Sequence, residues 1–82
     1  MGFRDAEFGT ADHFFAGLLQ VFDPLLAMSI RSELERYASA SRGKQLNKWQ
    51  LSYLAEELSK TYPGFDLFVI GYFGDGDGEL RF

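Results

Sequence analysis

The side chains best placed to do chemistry fall in two stretches. The first is the acidic run GDGDGE at 74–79, where closely spaced carboxylates and turn glycines are what a hard cation such as calcium needs. Alignment to an EF-hand loop fails. Setting Asp75, Asp77 and Gly78 at loop positions 3, 5 and 6 puts Phe73 at position 1, where a carboxylate belongs. The run therefore reads as a solvated turn, and no metal is expected. The second stretch holds Arg36, Arg42, Lys44 and Lys48, with no acid among them. It leads into the start of a helix, where backbone donors and the dipole favour an anion. Arg42, Lys44 and Lys48 are the candidate contacts for a phosphate or an acidic partner.

Catalysis has less to build on. His13 is the only histidine, so a histidine metal pair is excluded, and beside an apolar stripe it reads as a packing or capping residue. Ser29, Ser32, Ser39, Ser41, Ser52 and Ser59 fall on helices or their ends, without the glycines of a nucleophile elbow. The glycines lie at turns and helix ends, not in a phosphate-binding loop after a strand. No cysteine is present, which excludes thiolate chemistry and disulfides and favours an intracellular setting. The expectation is a non-enzyme without a cofactor.

Composition narrows the partners. Hydrophobic residues make up 46% and aromatics 17% of 82 residues, with nine Phe, four Tyr and one Trp. A chain this short forms one domain, 1–82, and buries only about 60–65% of its unfolded surface, so some large rings stay outside. An exposed ring patch marks a protein partner or a second copy, and a homodimer is expected. The net charge of −4 disfavours phosphate-backbone binding. The N-terminal MGFRDAEF has charges where a leader needs an apolar run, and no stretch approaches a membrane span. A cytoplasmic protein follows.

The elements that would carry these residues are three helices over 10–62, packed on a β-hairpin over 65–82, an α+β fold. Residues 1–9 form an extended arm with scope for an edge strand. Thr10 caps the first helix, whose stripe is Phe14, Phe15, Leu18, Leu19 and Phe22. Asp23-Pro24 ends it and opens the second, with a stripe of Leu26, Ile30, Leu34, Tyr37 and Ala38. In the third, Asn47 and Gln50 have capping-box spacing, and Leu46 and Leu51 have staple spacing. Leu51, Leu54, Ala55, Leu58 and Tyr62 form its stripe, and Trp49 and Tyr53 share another face. From Phe65 to Phe73 both parities are apolar, which predicts a strand wanting cover on both faces, with 74–78 as the hairpin loop and Leu80 and Phe82 facing inward.

Two functions fit. The preferred one is a small acidic protein-interaction module, a regulator, inhibitor or adaptor, with Trp49, Tyr53, Tyr72 and Phe73 as its anchors. The alternative uses the element order of a winged-helix DNA-binding domain, with helix 47–62 as the reader and Lys44, Asn47, Lys48 and Gln50 at its contacts. Asp75 and Asp77 at the wing tip have the wrong sign for phosphate.

Overall fold

A computed structural model of the chain describes residues 10–74 and 78–82. In order these form α1 (Ala11–Leu18), α2 (Pro24–Ser39), β1 (Gln45–Asn47), α3 (Lys48–Leu58), α4 (Phe65–Phe73) and β2 (Glu79–Arg81). The fold is α+β, with β1 and β2 making a two-stranded antiparallel sheet.

The capping signals act as their chemistry dictates. The Thr10 hydroxyl accepts from the His13 N–H at 3.3 Å and starts α1. The Asp23 carboxylate accepts from the Leu26 N–H at 2.9 Å, with Pro24 beginning α2. At α3 the Asn47 side chain accepts from the Gln50 N–H at 2.9 Å, while Gln50 Oε1 accepts from the Asn47 N–H at 2.8 Å. Both halves of the capping box are therefore made. Leu46 and Leu51 on either side of it are buried. In α2 the buried line is Ala27, Ile30, Leu34 and Ala38, so the stripe sits slightly round from the expected one and leaves Leu26 and Tyr37 exposed. The two alanines on the inward side let the helix approach its neighbours closely.

The expected strand over 65–73 is a helix, and 65–82 is not a hairpin. A continuous apolar run fits a buried strand or a buried helix equally, and its period decides nothing until the covering elements are known. Phe65, Phe68, Val69, Tyr72 and Phe73 stand at i, i+3, i+4, i+7 and i+8, the helical pattern, and they are the α4 residues that are buried or packed on the core. The chain enters α4 through Gly64 at φ +95, a left-handed conformation that reverses direction after Pro63 at little steric cost. The Asp66 N–H is tied back by the Ser59 hydroxyl at 2.8 Å. α3 and α4 thus form a helical pair.

The strand that pairs with the C-terminal segment is instead β1, in the register Gln45 to Arg81, Leu46 to Leu80 and Asn47 to Glu79. Leu80 does point inward and is fully buried. Of the expected hairpin loop, 75–77 lie outside the described residues, as does the arm 1–9. Thr10 makes an isolated parallel bridge to Arg81, so the start of α1 adjoins the sheet.

The core gathers Phe14 and Leu18 of α1, Ile30 and Leu34 of α2, Leu46, Leu51, Phe65 and Leu80. Phe14 sits at its aromatic centre, with edge contacts to Phe65, Phe68 and Tyr72 and a stacked contact to Phe73. On the outside, Arg31 reaches Asp12 at 2.9 Å and lies 5.0 Å over the Phe15 ring, joining α1 to α2. No helix among the described residues is long and apolar enough to cross a membrane.

Candidate functional site

The four aromatic candidates separate into two pairs. Trp49 and Tyr53 lie one turn apart on α3, on the pole opposite Leu51, Leu54, Ala55 and Leu58. Trp49 is 84% exposed and Tyr53 64%. No large hydrophobic side chain among the described residues is more exposed than this tryptophan. Tyr72 and Phe73, on the last turn of α4, are half-buried and pack on Phe14. Helical geometry carries them into the core, whereas a strand would have set them on opposite faces.

Tyr72 brings a second feature that the sequence did not show. Its hydroxyl is hydrogen-bonded to His13 Nδ1, and the two rings meet edge to face. In the neutral imidazole the phenol O–H donates to Nδ1 and the ring proton sits on Nε2. The pair stands at one wall of a cleft of about 540 Å³ between α1 and α4, lined also by Ala16, Gly17, Val21, Phe68 and Gly71. Once 65–73 is helical, Tyr72 comes opposite His13, although the two are 59 residues apart. A strand assignment hides that juxtaposition.

Burial pushes the Tyr72 phenol up from 10.0 to about 12. A raised folded-state value means the native protein holds this proton after the unfolded chain has released it. The resulting stability is complete below about pH 10 and is lost as the pH rises towards about 12. Phenolate absorbance should therefore show a late step near pH 12 that Tyr72→Phe removes. Persistence of that step in the variant would place it on another tyrosine.

The basic candidates lie on the connection from α2 to α3. Arg42 and Lys44 are exposed, Lys48 opens α3, and Lys44 takes a left-handed φ of +52. Arg36 turns back to Glu33 at 3.2 Å. The Asn47 and Gln50 N–H groups, two donors an anion would use at this helix start, are taken by the capping box. Among the described residues no three His, Asp or Glu side chains cluster as metal ligands, and the calcium candidates Asp75 and Asp77 lie outside them.

No family model matches the chain, and neither a curated protein nor a solved structure does. The geometry of its own surface is the basis for a functional reading.

Proposed function

We propose that the chain is a cytoplasmic, non-catalytic protein-interaction module, a regulator, inhibitor or adaptor that acts by covering a partner's surface with the outer pole of α3. The observation that carries this is the exposure of Trp49, 84% in water on a capped helix. An indole held there contributes little to its own fold. Tyr53 extends the same apolar surface by one turn. Large aromatics on a rigid scaffold supply contact area at low entropic cost and dominate interface hot spots.

The reading of α3 as a DNA-reading helix is less well supported. Of its contacts Lys44, Asn47, Lys48 and Gln50, the side-chain oxygens of Asn47 and Gln50 are held by each other's backbone N–H groups.

Trp49→Ala is expected to leave the unfolding free energy from urea denaturation unchanged within about 0.5 kcal/mol, because a surface side chain is removed. It should weaken partner binding by roughly 30-fold or more, the loss of a hot spot worth at least about 2 kcal/mol. Affinity capture from the protein's own cells, wild type against Trp49→Ala, reads this directly. A protein retained by wild type and lost from the variant supports the reading, and identical retention by both contradicts it. As the only tryptophan, Trp49 also reports binding by a blue shift of its emission.

A further inference from the structure

A groove between α3 and α4 is lined by Ser52, Ala55 and Glu56 of one helix and Asp66, Val69 and Ile70 of the other. Ala55 and Val69 are buried, Asp66 is half-buried and Glu56 is exposed, so an apolar bottom lies below two carboxylates. The other acids of the described residues have partners or cations nearby. Asp12 meets Arg31, Glu33 meets Arg36, Glu57 meets Lys60 and Glu79 meets Arg81, while Asp23 caps α2. Glu35 shares a cleft with Arg31 and Arg81. Glu56 and Asp66 differ: no cation lines their groove, and neither makes an ion pair among the described residues.

We propose that this groove receives an arginine of the protein partner, its aliphatic stem on Ala55, Val69 and Ile70 and its guanidinium between Glu56 and Asp66. Size and position select that occupant. At about 200 Å³ the groove is smaller than the ~300–1,000 Å³ of a small-molecule pocket and suits one long side chain. Trp49, Ser52, Tyr53 and Glu56 stand at i, i+3, i+4 and i+7 of α3, so the groove continues the stripe that carries the exposed rings. It begins about 10 Å along the helix axis from Trp49, within reach of the same partner surface. A guanidinium is a fixed fork of donors that can bond two carboxylates at once, and its stem covers apolar surface. The chain's net charge of −4 adds attraction at longer range. This deepens the α3 reading and rests on it: the partner surface that covers Trp49 is basic.

Amide NMR tests this with a blocked Leu-Arg-Leu tripeptide as the probe and Leu-Gln-Leu as its uncharged control. Saturable shifts should centre on Ser52, Glu56, Asp66 and Ile70, with a Kd near ~1 mM. The control should bind roughly tenfold more weakly, and so should the arginine peptide to the double variant Glu56→Gln with Asp66→Asn, whose far-UV spectrum should be unchanged. Added salt should weaken the arginine peptide and spare the control. No saturable shift by ~10 mM overturns the proposal, as do equal binding of both peptides or binding that survives the double variant. Trp49→Ala should leave this titration unchanged, because the tripeptide occupies only the groove. Partner capture that ignores Trp49 therefore defeats the α3 reading without altering the titration, whereas a failed titration beside Trp49-dependent capture removes the arginine site alone.

Discussion

Phe65→Ala is expected to destabilise the protein by about 3–5 kcal/mol, while Leu67→Ala, two residues on, costs under about 0.5 kcal/mol. Phe65 is fully buried and contacts Phe14 and Phe68, whereas Leu67 is 70% exposed. The contrast separates the two conformations open to this apolar run. In a strand, residues 65 and 67 share a face and would lose similar stability. In a helix they lie 200° apart, given 100° per residue. A domain of this size has a total stability of only about 4–12 kcal/mol, so Phe65→Ala should sit at or near the edge of folding. Urea denaturation of both variants measures the difference, and equal losses would refute the helix.

The second large effect is expected at Leu80. This residue faces Leu46 in the sheet and is fully buried. Leu80→Ala should cost about 2–5 kcal/mol through lost burial and the cavity left behind. For a chain of this length that lowers the melting temperature by roughly 10 °C or more. Leu25→Ala, at an exposed position early in α2, is the control and should change it by no more than a few degrees. A melting temperature that stays level in Leu80→Ala would mean that β2 is not docked on β1.

Much of the fold was legible because it rests on local chemistry. Thr10, Asp23 and Asn47 mark helix starts through bonds to backbone groups within three residues, so nothing distant is needed to read them. The α4 run reads as a strand from sequence because the partners that decide its conformation are remote. Phe14 of α1, which fixes the helical face of Phe65, Phe68, Tyr72 and Phe73, lies more than 50 residues earlier. Pairing of β2 with β1 is equally non-local, and β1 is a three-residue strand whose Leu46 and Asn47 already had a reading as staple and cap.

The candidate site divides along the same line. Trp49 and Tyr53 could be set off the buried stripe from α3 alone, and the structure finds both exposed. The His13 and Tyr72 pair and the cleft beside it exist only once α1 and α4 are packed. One feature of α4 survived the change of conformation. A run apolar on every side demands cover on every side, in a strand or in a helix, and one side of α4 has none within the described residues.

Residues 65–73 form a helix with one face in the core and one apolar face exposed among the described residues. A single-cysteine scan across 66–73 tests it most directly, because the chain has no cysteine of its own to interfere. Alkylation rates in the native protein should peak at positions 67, 70 and 71 and fall to a minimum at 69. Strict alternation, with 67, 69 and 71 reacting alike and 66, 68, 70 and 72 alike, would contradict it.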